Sequence, residues 1–212
     1  MTADEIPGAQ LMLAVEAGIG ASERLGAVLA AVPVASVIVM PSADKGFVAS
    51  LVGEGQRRGA AMLIADDATL ARSVKADGVH LSYSEAAREQ VEAARAVLGG
   101  KAIVGCDVGR SKHEAMTVGE LGADYVAFGV PAFVKDRETA FQRQLDLLAW
   151  WSEIFEVPSV AMDGATVEQA EAMAAAGADF VCLHLGVGTS VGDAVEQAQA
   201  WTAAVDRAAV RG

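Results

Sequence analysis

The chain has 212 residues, 53% of them hydrophobic and 21% charged, the balance of one globular domain with a full core rather than of a disordered segment. A net charge of −12 argues against a nucleic-acid or anionic-membrane surface, since either needs clustered Lys and Arg. The two cysteines, Cys106 and Cys182, fall in apolar strand-like runs and read as small core residues in a reducing compartment. No run approaches the ~18 apolar residues of a membrane-crossing helix, so the expected setting is the cytoplasm.

Residues 1–8 are polar with a proline and are expected to fray. Gln10 to Val15 reads as a first strand ending at Glu16, Gly18 and Gly20 as a turn, and Ala21 to Ala31 as a helix. Val34 to Met40 is a nearly continuous apolar run, as a strand covered on both faces requires, closed by Pro41 and Ser42. Lys45 to Arg58 carries a helical stripe of Phe47 and Leu51, with Val48 and Val52 weaker. Ala60 to Ala65 is a third strand ending in Asp66 and Asp67, and Ala68 to Lys75 a short helix. Gly78 to Ser82 is a fourth strand, with Ser84 as N-cap of a helix that runs to Leu98 and stops at Gly99 and Gly100. Lys101 to Cys106 is a fifth strand ending in Asp107, and Ser111 caps a helix to Leu121 or Gly122. Tyr125 to Gly129 is a sixth strand, followed by a loop from Val130 to Glu138 and a helix from Thr139 to Phe155. Pro158 to Met162 is a seventh strand ending in Asp163 and Gly164, and Thr166 with Gln169 forms a capping box for a helix to Ala176. Asp179 to Leu185 is an eighth strand, Gly186 to Ser190 its loop, and Asp193 to Ala209 a last amphipathic helix.

One device recurs along this pattern. Ala76-Asp77-Gly78-Val79 returns as Ala123-Asp124-Tyr125-Val126 and Ala178-Asp179-Phe180-Val181, with Gly122 and Gly177 before the later copies and Lys75 before the first. Each reads as a helix end, a turn in which Asp bonds local backbone, and a strand entering the interior. The copies lie roughly 50 residues apart, which fits two β-α units of a parallel sheet. Eight such units without a linker predict a single closed (β/α)8 TIM barrel across residues 1–212; an open doubly wound sheet is the alternative.

In a barrel of this kind the loops after the strands form the active face. Asp66, Glu85, Asp107 and Asp163 would stand around that mouth, where gathered carboxylates repel unless caps, protons or a cation offset them. Capping of the following helices is the favoured role, and Mg²⁺ suits the same hard oxygen ligands. The loops after strands seven and eight place Gly164, Gly186 and Gly188 where backbone N–H groups can approach a phosphate at a helix N-terminus. His80 and His184 lie within strands and default to inward, hydrogen-bonded core roles, while His113 is expected to be exposed. Trp150, Trp151 and Trp201 read first as helix-to-barrel packing and second as a surface for self-association into a homo-oligomer.

At Ile64-Ala65-Asp66-Asp67, followed by Ala76 to Leu81, the chain resembles the thiamine phosphate synthase family. Gly122 to Val126, Val157-Pro158 into Gly164, and Ala176 to Asp179 extend the resemblance over nearly the whole chain. The resemblance implies a (β/α)8 barrel that joins a pyrimidine pyrophosphate to a thiazole phosphate, pyrophosphate leaving with Mg²⁺ assistance. It implies Asp66 and Glu85 as Mg²⁺ ligands and Gly164, Gly186, Gly188 and Lys135 as phosphate contacts, with Asp107 and Asp163 as further mouth residues. Several positions depart from the family pattern. Its Gln-x-Arg-x-Lys stretch after strand two falls on Ile38 to Ser42 here, its Ser after strand five on Asp107, and its Thr-rich loop after strand six on Ala132 to Arg137. Two other readings stay open: a diverged member that binds or converts another small molecule, and a non-enzymatic partner protein.

Overall fold

The computed structural model describes residues 8–130 and 133–211. The expectations for residues 1–7 and for Ala132 lie outside the described residues. Strands and helices alternate throughout: β1 (Gln10–Val15), α1 (Ala21–Ala31), β2 (Ser36–Val39), α2 (Lys45–Arg57), β3 (Ala61–Ala65), α3 (Ala68–Val74), β4 (Gly78–Leu81), α4 (Ala87–Leu98), β5 (Ile103–Asp107), α5 (Lys112–Glu120), β6 (Tyr125–Phe128), α6 (Arg137–Ile154), β7 (Ser159–Ala161), α7 (Val167–Ala175), β8 (Phe180–Leu185) and α8 (Val191–Arg211). All strand pairs are parallel, and β1 pairs β8 in a register of Ala14 with His184, so the sheet closes into a barrel and the open alternative falls.

Closure divides the apolar residues into two sets, because successive strand side chains point to opposite faces. Leu13, Val37, Ile64, Val79 and Leu183 face the helices in one continuous shell. Met12, Ala14, Ile38, Leu63, Ala65, Ala127, Val160 and Cys182 fill the barrel interior. His80 joins them there, fully enclosed, its Nδ1 2.9 Å from the Tyr125 hydroxyl. The upper interior positions are small, Ala14, Ala65 and Ala127, which leaves the C-terminal mouth open above them.

The recurrent Asp does more than the local turn expected of it. Asp77 accepts the Met62 N–H at 2.7 Å, Asp124 that of Val104 at 2.7 Å, and Asp179 that of Ser159 at 2.8 Å. Each donor is the first or second residue of the preceding strand, and it also accepts the Asp backbone N–H in return. One side chain thus fixes the register of β3 with β4, of β5 with β6 and of β7 with β8. Lys75 takes the left-handed helix end that Gly122 and Gly177 take in the other copies, at φ 57. Gly78 is required for a different reason: a Cβ there would stand 1.9 Å from the Ile103 carbonyl oxygen of β5.

Other expectations need correction. Phe47 is exposed, and the buried face of α2 is Val48, Leu51, Val52 and Gly55. Ser84 does not cap α4; its hydroxyl accepts the Ala86 N–H in a short turn, and the helix starts afterwards at Ala87. Ser111 and Thr166 cap α5 and α7 as expected, with Gln169 reaching back to the Ala165 N–H. Trp151 and Trp201 are buried against the barrel, and the partly buried Trp150 packs on Trp151 and Phe155, which is the packing role expected first. Among the described residues no helix is long and apolar enough to cross a membrane.

Asp124→Ala leaves the buried Val104 N–H without a partner, and we expect a loss of about 1–3 kcal/mol in urea unfolding. Asp124→Asn, which keeps an acceptor oxygen, should lose less; equal stability of all three proteins would remove the register role.

Candidate active site at the C-terminal mouth

Two strand ends carry an aspartate in the left-handed region, Asp66 at φ 59 and Asp163 at φ 61. Such backbone is uncommon outside Gly, and Asp tolerates it better than most residues. Both aspartates reach across to a neighbouring strand end instead of capping their own helix. Asp66 receives the Ser82 N–H and the Ser82 hydroxyl, each at 2.7 Å. Asp163 receives the Val130 N–H at 2.8 Å. The capping expected of the mouth aspartates is not made by Asp66, Asp107 or Asp163; their neighbour Asp67 caps α3, accepting the Leu70 N–H at 2.7 Å. Asp107 holds the Gly109 N–H at 2.7 Å and so braces its own loop.

Asp107 and Asp163 converge. A Cβ on Gly129 would stand 2.7 Å from one Asp107 oxygen and 2.9 Å from one Asp163 oxygen. Only Gly fits between them, and its N–H, with that of Val130, is shared out to the pair. Burial, with the nearby Asp163 charge adding to it, pushes the Asp107 carboxyl up to about 7 against the pull of the Gly109 and Gly129 N–H groups. The mouth is therefore less negative at neutral pH than its formal charges suggest. Deeper in the barrel, burial depresses His80 to about 4, so this histidine is neutral at physiological pH.

On the opposite rim, Glu16 accepts the Val187 N–H at 2.9 Å and lies 3.7 Å from His184 Nε2. His184 is half-exposed there, contrary to the core role expected of it. It does lie on the inward side of β8, but above the last filled layer, where inward means the open mouth. Gly186 and Gly188 form the loop beside it, with nothing within 4 Å of a Cβ on Gly188. Gly164 packs under the Trp201 ring, 3.0 Å from a Cβ placed there. Lys135 and Glu85 stand exposed on separate loops, so neither is drawn into the Asp107–Asp163 group. Among the described residues no three His, Cys, Asp or Glu side chains gather as a metal cage.

Four contributors were not singled out from the sequence. Ser82 orders Asp66, and Gly129 lets the carboxylates approach. Gln144, buried in α6, donates to the Phe128 and Met162 carbonyls at 2.5 and 2.8 Å and ties the ends of β6 and β7. Arg24 supports the loop after β8. Its signal was present: Ala21, Arg24, Leu25 and Val28 fall at i, i+3, i+4 and i+7, so this arginine occupies the buried stripe of α1.

The pH dependence of stability follows from the two perturbed groups. The unfolded chain releases the Asp107 proton near the ordinary value of about 3.9. The folded chain holds it to about 7. In that window the folded state binds the extra proton, so this contribution is full below the lower value and is lost as pH rises through the upper. His80 runs the other way, contributing fully above its ordinary value and losing the contribution as pH falls through about 4. In Asp107→Asn, urea unfolding should therefore show stability relative to the parent rising steadily from acid toward neutral pH; parallel curves would contradict the raised Asp107 carboxyl.

The loops described here coincide with a family profile. Residues 46–187 match that of thiamine monophosphate synthase. The thiamine-phosphate synthase of Erythrobacter litoralis is 42% identical over 125 residues, 58% of this chain and 57% of that protein. That of Hyphomonas neptunium is 42% identical over 139 residues, 66% of this chain and 62% of that protein. The chain thus aligns with about three fifths of the length of these relatives. In three dimensions it resembles a thiamine phosphate pyrophosphorylase from Pyrococcus furiosus, with a TM-score of 0.74 at 19% identity over 94% of this chain and 96% of that one, a likeness of fold. The profile match spans α2 to the loop after β8 and includes both left-handed aspartates, and on that ground the chain belongs to the thiamine monophosphate synthase family.

Proposed function

We propose that the chain is a thiamine phosphate synthase-type transferase of the cytoplasm, taking a pyrimidine pyrophosphate and a thiazole phosphate as small-molecule substrates. The observation that carries this reading is the family match laid over the loops after β3 to β8, the face on which such barrels do their chemistry. In the reaction the bond from the pyrimidine-bearing carbon to the diphosphate oxygen breaks, its electron pair leaving with diphosphate. The thiazole nitrogen lone pair then forms the new carbon–nitrogen bond.

The residues divide the work by position. Gly164, Gly186 and Gly188 offer backbone N–H groups to the thiazole phosphate at the N-terminal ends of α7 and α8. Lys135, on the loop before α6, supplies a mobile cation to the diphosphate side. Asp66 and Glu85 are the residues that would hold Mg²⁺. The donor set fits it: Asp66 is fixed by Ser82, and each of its oxygens keeps a further lone pair. Mg²⁺ needs only one or two carboxylates beside its waters and substrate oxygens. When bound, it supplies charge that stabilises the departing diphosphate. Asp107, its carboxyl raised to about 7, presents less negative charge to an anionic substrate near neutral pH than an ordinary aspartate would.

The β2 end is where this chain differs from the family pattern. Met40, Pro41 and Ser42 occupy the place of the family's cationic stretch, and the Ser42 hydroxyl accepts the Asp44 N–H, 3.2 Å away, just before α2. Diphosphate binding is therefore expected to lean on Mg²⁺ more heavily than on side-chain cations. Incubating the protein with both substrates and Mg²⁺ should yield thiamine phosphate. Ser82→Ala, which removes the hydroxyl bond to Asp66 and leaves the backbone one, should raise the Mg²⁺ requirement by roughly tenfold. Absence of product above background at saturating substrate, with folded protein, would end the reading.

A further inference from the structure

Arg24 is 3% exposed, yet it forms no ion pair among the described residues. Its Nη1 donates to the Thr189 carbonyl at 3.1 Å and to the Val187 carbonyl at 3.5 Å. Its Nε and Nη2 are buried without a hydrogen-bond partner among the described residues. A guanidinium is always charged, and burying it uncompensated is costly, so a group of opposite sign is missing from its surroundings. What it holds is the Gly186–Ser190 loop, at the N-terminal end of the 21-residue α8. Beside it α1 begins at Gly20 with no side-chain cap on its first-turn N–H groups. Two helix N-termini and one buried cation thus point positive charge at a single loop. Glu23, its neighbour in the chain, lies in the first turn of α1 and makes no ion pair with it among the described residues, and Glu16 is engaged by the Val187 N–H and His184.

We propose that Arg24 is a positioning residue that makes the β8–α8 loop an anion site: it braces the loop through two carbonyls and supplies, from beneath, the charge that a bound phosphate group neutralises. The role is not carried over from the family, because Arg24 lies outside the matched residues 46–187. It deepens the reading of Gly186 and Gly188 as phosphate ligands and rests on it. It also accounts for how a mouth rich in carboxylates can hold an anion on one side. Arg24 lies in α1 beneath the loop after β8, away from Asp107 and Asp163 at the ends of β5 and β7, so the mouth is polarised rather than uniformly acidic.

The test uses inorganic phosphate as probe and thermal unfolding as readout, with chloride at equal ionic strength as control. Phosphate should raise the melting temperature of the parent protein and chloride should not. Arg24→Met should melt at or above the parent temperature without ligand, since an uncompensated buried charge is removed, and should lose the phosphate response. By calorimetric titration its phosphate affinity should fall by roughly tenfold to a hundredfold, the worth of a charged hydrogen-bonding group. Arg24→Lys, which keeps the charge, should retain most of the response and serves if the methionine variant does not fold. With the thiazole phosphate as substrate, Arg24→Met should raise KM and leave kcat nearly unchanged. A parent protein indifferent to phosphate, or a methionine variant that responds as the parent does, would overturn the proposal. Failure to form thiamine phosphate with the phosphate response intact would count against the synthase reaction and not against Arg24.

Discussion

The barrel depends on one contact made three times. An aspartate at the entrance of β4, β6 and β8 grips the backbone of the strand before it, exchanging bonds through both side chain and main chain. Parallel strands lack the short hairpin that sets register in antiparallel pairs, so something else must specify it. Here the specification sits at the N-terminal end of the sheet, and neighbouring helices reinforce it. Gln56 of α2 also donates to Asp77, and Arg95 of α4 also donates to Asp124. With register fixed at one end, the loops at the other end are free to carry strained backbone.

That freedom is used at the mouth. Asp66 and Asp163 hold left-handed conformations, and each spends its carboxylate on a neighbouring strand end. The consequence is a ring of linked loops: β3 to β4 through Ser82, β6 to β7 through Val130 and Gln144, and β8 to β1 through Glu16. The charges on that ring are tempered by local chemistry. Asp107 is shifted toward its neutral form, and Arg24 stands under the loop after β8 with no carboxylate partner among the described residues. A mouth that counts as acidic by composition therefore presents two unlike sides.

The fold was legible because its signals are local and repeated. A helix end, a left-handed turn residue and an aspartate before an apolar run announce β4, β6 and β8 without knowledge of distant partners. The helix from Ala21 to Ala31 and the caps at Ser111 and Thr166 follow from the same short-range rules. The site was legible only as a list. Which face each loop residue takes is decided by the backbone at the strand end, and a positive φ at Asp66 and Asp163 sends side chains across the mouth rather than onto the next helix. His184 obeyed strand alternation, but its exposure depended on how high the interior is filled. Arg24 broke an apolar stripe, and an arginine at such a position is a signal worth reading. The family profile begins at Gly46, so it does not reach β1, α1 and β2, where the family's cationic stretch would fall and where Arg24 lies, and the part Arg24 plays came only from the structure.

The central claim is that the loops after β7 and β8 still form a phosphate site within this altered mouth. A crystal structure grown with the thiazole phosphate tests it most directly. The account predicts phosphorus density within hydrogen-bonding distance of the backbone N–H groups around Gly164 and Gly188, above Arg24. Density elsewhere on the protein, or these loops closed on themselves at saturating ligand, would contradict it.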